Sequence, residues 1–145
     1  MKVYLDTSVY NRPYDDQTQA KIYLETQGVL IILNLIETQQ IQLVNSSVLE
    51  YENTKNPFPI IQKAIQQYLT QASFFQSLNE TIRQRAKQLE NAGIKPIDAL
   101  HVASFEASES DYFITCDRRL LNRCQSLSIS AINPIEFIEE LDNEN

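Results

Sequence analysis

The sequence contains few of the residues from which several common functional sites are built. It has no tryptophan and only 2 glycines among its 145 residues. Glycine-rich loops that cradle phosphate groups, such as GxGxxG and GxxxxGK[ST], are absent and their functions are excluded. The only cysteines, Cys116 and Cys124, allow one bridge at most, which excludes a disulfide framework.

Basic residues are also in deficit. The chain has 12 Lys and Arg against 19 Asp and Glu, which gives a net charge of −7 and an isoelectric point near 4.7. A broad cationic surface for nucleic acid is therefore not expected. The acidity does not exclude a nucleic-acid substrate, because bound metal ions reverse the local charge.

Length and hydropathy indicate one folded domain. Hydrophobic residues make up 43% of the chain, which is typical of a globular protein. We predict a single domain over residues 1–141 and an acidic tail over residues 142–145. The longest apolar run, residues 29–33, is too short to cross a bilayer, and the N-terminus does not resemble a signal peptide. We expect a cytoplasmic protein without membrane contact, with both thiols reduced.

Short apolar runs alternate with helical periodicity along the chain. They predict strands at residues 2–5, 41–44, 112–115 and 129–132. Helices are predicted at residues 18–38, from 48 onwards, and at 60–70, 79–92, 96–107, 118–123 and 134–141, with a polar loop at residues 11–16. This alternation predicts an α/β fold with a mostly parallel sheet covered by helices on both faces.

Acidic residues follow three of the predicted strands. Asp6 comes directly after the first strand, Glu50 and Glu52 lie in the first turns after the second, and Asp117 lies two residues past the third. Parallel strands bind ligands at their carboxyl ends, so these acids are predicted to share one rim. Asp98 lies near the start of a helix that spacing alone does not place on that rim.

Two interpretations of these acids are open. Asp6 and Asp117 can be helix N-caps, and Glu52 and Asp98 can complement helix dipoles. Alternatively, oxygen ligands from separate segments suit a hard divalent cation. Such an ion activates water and holds a phosphodiester. Capping does not require the acids to converge on one rim, so their joint occurrence favours the second interpretation.

Four short strings, in this order and at these distances, resemble the PIN-domain family, and within it the VapC-like bacterial toxins and their solitary relatives. The resemblance covers essentially the whole chain. The strings are YLDTS at residues 4–8, SVLEYE at 47–52, DALHVA at 98–103 and TCDRRL at 115–120.

The resemblance implies a fold, an activity and a site. The fold would be a three-layer α/β/α sandwich around a parallel sheet of four or five strands. The activity would be endonucleolytic cleavage of RNA that depends on Mg²⁺ or Mn²⁺, in a protein that can be the toxin of a toxin–antitoxin pair. The metal-binding and catalytic residues would be Asp6, Glu52, Asp98 and Asp117.

The resemblance also favours Glu52 over Glu50 as the second acid. In the family this acid usually falls five residues after the serine that ends the strand, and the step from Ser47 to Glu52 fits. On a helix Glu50 would point about 160° away from Glu52, so only one of them can face the site.

Several neighbouring residues have both a functional and a structural interpretation. Ser8 and Thr115 can support the acids or make local turn bonds. His101 can hydrogen-bond the Asp98 carboxylate, which lies on the same helix face, or simply pack in the helix. The arginines near the rim can bind RNA phosphates or form ion pairs with Asp15 and Asp16, namely Arg12, Arg118 and Arg119. Three tyrosines can stack on bases or pack at the edge of the core, namely Tyr10, Tyr14 and Tyr51. A homodimer is also expected from the resemblance, with Phe74, Phe75 and Leu78 either at its interface or in the core.

Other α/β classes with an aspartate after the first strand fit less well. A haloacid-dehalogenase-type phosphatase needs a second aspartate two residues later, where this chain has Ser8. A response-regulator receiver needs a late lysine, and no lysine follows Lys95. The remaining alternative is a PIN-like module that binds RNA or protein without cutting, against which the presence of all four acids argues.

Overall fold

The computed structural model describes residues 1–143. The strands are β1 Lys2–Leu5, β2 Gln42–Ser46, β3 Phe74–Gln76, β4 Tyr112–Ile114 and β5 Ala131–Ile132. The α-helices are α1 Thr7–Asn11, α2 Ala20–Glu37, α3 Ser47–Thr54, α4 Pro59–Leu69, α5 Glu80–Asn91, α6 Pro96–Ala107, α7 Arg118–Ser126 and α8 Pro134–Asn143, and a short 3₁₀ turn spans Arg12–Tyr14.

The five strands form one parallel sheet in the order β3-β2-β1-β4-β5. The central strand β1 is apolar and fully buried at Val3, Tyr4 and Leu5, as a strand covered on both faces requires. The chain runs outward from β1 to β2 and β3, then returns to the other side of β1 as β4. The crevice at the carboxyl ends of β1 and β4 is therefore the topological switch point, where ligands bind in sheets of this kind.

Helices cover the two faces of this sheet. Phe113 of β4 makes an edge contact with Phe105 of α6, at 5.6 Å between ring centroids. Its neighbour Tyr112 points to the opposite face and makes an edge contact with Phe137 of α8, at 5.5 Å. Helix α5 packs on α6, and α2 packs on α8. The predicted three-layer sandwich with a parallel sheet is confirmed.

Two elements near the predicted rim differ from the expectation. Strand β3 was not located from the sequence, because three residues at a sheet edge are too few to show alternation. Residues 11–16 form the predicted polar loop only at positions 15 and 16. Asp6 caps α1 directly after β1, so Asn11 ends a helix and the 3₁₀ turn follows at once.

The element ends also shift. The last strand is shorter than predicted, α7 continues to Ser126 and α8 continues to Asn143. The first two residues of the predicted acidic tail are therefore helical, and residues 144–145 lie outside the described residues. The single-domain boundary stays a prediction. Cys116 and Cys124 are both buried and free. Within residues 1–143, no helix combines the length and the apolar character that crossing a bilayer requires.

Candidate active site

Asp6 lies at the exit of the central strand, at the switch point. Its backbone N–H donates to the carbonyl of Ile114 at 3.1 Å, which ties it to the end of β4. Its Oδ1 accepts from the Val9 N–H at 3.3 Å and from the Ser8 hydroxyl at 2.5 Å. The residue is only 3% exposed. Burial raises its pKa, while the hydrogen bonds from Ser8 and Thr115 act in the opposite direction.

Two hydroxyl groups connect the loops after β1 and β4. The Ser8 hydroxyl accepts from the Cys116 N–H at 3.0 Å and lies 3.4 Å from the Thr115 hydroxyl. Thr115 Oγ1 accepts from the Asp117 N–H at 3.1 Å. These bonds fix the distance between the segment that carries Asp6 and the segment that carries Asp117. Thr115 thus makes a local bond to the backbone of Asp117, whereas Ser8 bonds the distant backbone of Cys116 and donates to Asp6.

Asp117 caps α7 in the same way that Asp6 caps α1. Its Oδ1 accepts from the Leu120 N–H at 3.1 Å. The capping interpretation of both acids is therefore correct as far as it goes. Capping of α7 uses one oxygen of the Asp117 carboxylate, and this side chain is exposed. The cap does not prevent the second oxygen from binding a ligand.

Glu52 reaches the rim from α3 and is held by two hydrogen bonds. The Thr7 hydroxyl donates to Glu52 Oε1 at 2.5 Å, and His101 Nε2 contacts the same oxygen. Burial opposes the charge of this carboxylate, but His101 and Thr7 outweigh it and lower the pKa of Glu52. Glu52 is therefore ionised at neutral pH, with both hydrogen bonds on one oxygen.

A buried hydrogen-bond chain supports this glutamate from below. His101 Nδ1 lies 2.7 Å from the Tyr4 hydroxyl, which lies 2.7 Å from the Ser46 hydroxyl. If Nε2–H donates to the Glu52 carboxylate, Nδ1 accepts from Tyr4, and Tyr4 accepts from Ser46. The sequence left open whether His101 hydrogen-bonds Asp98 or packs in its helix. In the structure its side chain is only 1% exposed, and its two ring nitrogens contact Glu52 and Tyr4 of β1.

Glu50 occupies a different environment. Its Oε1 accepts from Asn45 Nδ2 at 2.7 Å and from Gln66 Nε2 at 3.1 Å. Gln66 belongs to α4, so this carboxylate turns away from the rim, as the helical spacing predicts. The preference for Glu52 as the functional acid stays a prediction, and this geometry supports it.

Asp98 completes the set at the start of α6. Its pKa is raised to about 6. Burial is the largest cause, Asp6 is the next, and Asp117 and Glu52 add to it, while His101 acts in the opposite direction. Asp98 lines one cleft together with Asp117. The start of α6 therefore lies beside the rim, which the spacing of the sequence did not establish.

The four acids suit a divalent cation by their chemistry. Hard cations such as Mg²⁺ prefer carboxylate oxygens from separate segments. The repulsion from Asp6, Asp117 and Glu52 that adds to the effect of burial on the pKa of Asp98 is the part that a cation would relieve. In the described part of the chain, however, no three His, Cys, Asp or Glu side chains are grouped closely enough to hold a metal ion as they stand. Binding therefore requires the acids to move closer; Asp117 is exposed, and its cap of α7 engages only one of its two carboxylate oxygens.

The three arginines that were expected near the rim differ in their ion pairs. Arg12 forms ion pairs with Asp15 at 2.9 Å and with the buried Glu25 at 3.3 Å. Its structural interpretation is therefore the better one, although Glu25 was not foreseen as a partner. Arg118 and Arg119 are exposed and make no ion pair among the described residues.

The tyrosines also differ. Tyr10 is buried, so it cannot stack on a base, whereas Tyr14 and Tyr51 are about half exposed. Tyr4 and Thr7 are site-supporting residues that sequence reasoning missed. Tyr4 has the pattern of an ordinary core strand residue, and its hydroxyl contact depends on the distant His101.

Comparisons with solved structures identify proteins of the same fold. A chain of VapBC-1 from nontypeable Haemophilus influenzae matches with a TM-score of 0.59 and 15% identity, covering 92% of this chain and 98% of that one. A chain of VapBC2 from Rickettsia felis, bound to a DNA fragment from its promoter, matches with a TM-score of 0.56 and 14% identity, over the same shares. No curated protein sequence matches the chain.

The family profile of the PIN domain matches residues 3–125. This range begins in β1 and ends in α7, so it includes the sheet from β1 to β4 and all four acids of the rim. Most of the chain is thus accounted for by one family, and the structural neighbours share its fold. The chain belongs to the PIN domain family.

Proposed function

We propose that this protein is a nuclease that cleaves RNA endonucleolytically with Mg²⁺ or Mn²⁺. The observation that carries the proposal is the placement of the acids at the switch point of the sheet, where Asp6 follows β1 and where Asp98 and Asp117 line one cleft. Glu52 reaches the same region through its hydrogen bond with Thr7. Membership of the PIN domain family supports a nuclease in general. The metal dependence and the RNA substrate are the proposed refinements.

Three of the four acids, Asp6, Glu52 and Asp117, are held by hydrogen bonds within the protein. Asp6, Asp98, Asp117 and Glu52 would hold the cation, which would activate a water molecule and polarise the scissile phosphodiester. Ser8 and Thr115 keep the segments of Asp6 and Asp117 together. Thr7 and His101 hold one oxygen of Glu52 and leave Oε2 available. Orientation of a ligating carboxylate by such partners commonly affects activity by about 10- to 100-fold.

Incubation with an end-labelled, unpaired RNA tests the activity. We expect internal cleavage with millimolar Mn²⁺ or Mg²⁺ and none with EDTA, because the carboxylates alone cannot activate water against their own repulsion. Unpaired RNA is the expected substrate since its flexible backbone can enter a shallow rim site. Cleavage that continues unchanged in EDTA would contradict the metal mechanism.

The alternative is a PIN-like module that binds without cutting. The lack of a ready-made metal cluster within residues 1–143 is the observation that favours it. RNA binding without cleavage at any concentration of Mn²⁺ or Mg²⁺ would support this alternative.

We also propose that a protein partner, an antitoxin, binds this chain in the cytoplasm. The structural neighbours are chains of VapBC toxin–antitoxin complexes. The exposed face of α2 carries apolar side chains that are 46–55% exposed, namely Tyr23, Leu24, Leu30 and Ile31. Exposed apolar surface of this kind marks protein contacts. A small antitoxin-like reading frame beside the gene is the observation that would support this partner.

A homodimer is proposed through strand β3. Phe74 and Phe75 are 39% and 57% exposed on this edge strand, whereas Leu78 is half-buried against the core. Light scattering at micromolar concentration should give the mass of a dimer, and Phe75→Asp should give a monomer because it places a charge in the apolar contact. Phe58→Asp, at another exposed aromatic residue, should leave the dimer intact. A monomeric wild-type protein would contradict the proposal.

A further inference from the structure

A polar groove lies beside the acidic rim. It has a volume of about 800 Å³ and is lined by Gly93, Arg118, Arg119, Asn122, Arg123 and Ser126. A small adjoining cleft is lined by Asp98 and Asp117 together with Arg119 and Arg123. The groove and the acidic rim therefore meet at these two arginines.

The three arginines of the groove are not neutralised by the protein. Within residues 1–143, none of their guanidinium groups forms an ion pair or a side-chain hydrogen bond. By contrast, Arg12 pairs with Asp15 and Glu25, and Arg85 pairs with Glu106. Three of the four arginines that form no ion pair within residues 1–143 thus lie on α7, in a chain whose net charge is −7.

The backbone at Gly93 helps to place one of these groups. Gly93 has a φ of +102°, and a Cβ atom there would lie 3.1 Å from both Cζ and Nε of Arg123. Glycine permits both this backbone conformation and the close approach of the guanidinium. Arg123 therefore lies against the connection between α5 and α6. This connection ends shortly before Asp98 in the chain.

We infer that this groove binds the phosphates of single-stranded RNA that flank the scissile phosphate, an assignment that rests on the proposed nuclease function. Guanidinium groups bind phosphates through paired hydrogen bonds and remain charged at every physiological pH. A rim of four carboxylates repels a polyanion, so binding requires cationic groups close to it. Arg118, Arg119 and Arg123 meet that requirement. An acidic protein segment is a less suitable occupant, because it has no scissile phosphate to place in the rim beside the groove.

Fluorescence anisotropy with an unpaired RNA oligonucleotide, in EDTA at several salt concentrations, tests the groove without cleavage. Each phosphate contact contributes about 0.7 to the slope of log affinity against log salt for a single strand. Arg119→Gln combined with Arg123→Gln should therefore reduce the slope by about 1.4 and weaken binding at low salt at least about tenfold. Arg83→Gln, at an exposed arginine of α5 that forms no ion pair among the described residues, is the control and should bind almost like wild type.

The outcomes separate this inference from the proposed function. Loss of affinity and slope only in the α7 variant supports the groove, even if wild type never cleaves RNA in Mn²⁺. Wild-type affinity and slope in the α7 variant overturn the groove assignment, even if wild type cleaves. Failure of wild type to bind RNA, or binding of an acidic peptide at the same arginines in preference to RNA, also overturns it.

Discussion

Replacement of Glu52 by glutamine should lower the rate of RNA cleavage at least about 100-fold, because it removes a charged oxygen that the proposed cation needs. Glu50→Gln should change the rate only a few-fold. The carboxylate of Glu50 binds Asn45 and Gln66, whereas that of Glu52 binds Thr7 and His101 beside the other acids. Initial rates with an unpaired RNA in Mn²⁺ provide the comparison.

The two substitutions are a matched pair. Both exchange one carboxylate for an amide on the same helix, two residues apart. Urea unfolding of both variants should accompany the rates, because both carboxylates accept buried or half-buried hydrogen bonds and each loss costs about 1 kcal/mol. A folded Glu50→Gln protein without activity, beside an active Glu52→Gln protein, would show that the site faces the other side of α3.

The second large effect concerns Asp98 and stability. The pKa of Asp98 is about 6 in the folded protein, against an ordinary value of 3.8. As the pH rises between these values, the unfolded chain has already released the proton that the folded protein still holds, so stability falls. Above about pH 6 the loss of stability caused by ionising Asp98 has reached its full value. Asp98→Asn removes it, while the lost helix-dipole interaction is worth at most about 1 kcal/mol.

The melting temperature of Asp98→Asn without metal should therefore equal or exceed that of wild type near about pH 7.5, and the difference should shrink toward about pH 4. Differential scanning fluorimetry across this range measures it. If Asp98 only complements the dipole of α6, the variant will melt lower at neutral pH and approach wild type as the carboxyl becomes protonated.

The sequence predicted the sheet and the rim because these depend on local patterns. Apolar runs located β1, β2, β4 and β5, and the rule for parallel sheets brought Asp6 and Asp117 to the same edge. Strand β3 could not be found, since its three residues pair only through the edge of β2. The helix α1 was missed because five residues show no periodicity and its formation depends on the Asp6 cap.

The contacts that support the site were beyond the sequence for a different reason. Glu52 and His101 are separated by 49 positions in the sequence, and His101 and Tyr4 by 97. Their hydrogen bonds form only when three elements pack together. Two of the unpaired arginines of α7, Arg118 and Arg119, were identified from the sequence as possible RNA-binding residues. Arg123 was not, because its packing against Gly93 is established only in the folded structure.

Direct measurement of Mn²⁺ binding tests the central claim, which is that the four acids of the rim share a divalent cation. Titration of protein into Mn²⁺, followed by the electron paramagnetic resonance signal of the free ion, gives both affinity and the number of ions bound. We predict saturable binding to wild type and to Glu50→Gln, and an affinity at least about tenfold weaker for Asp98→Asn. Identical binding curves for Asp98→Asn and wild type would contradict the claim.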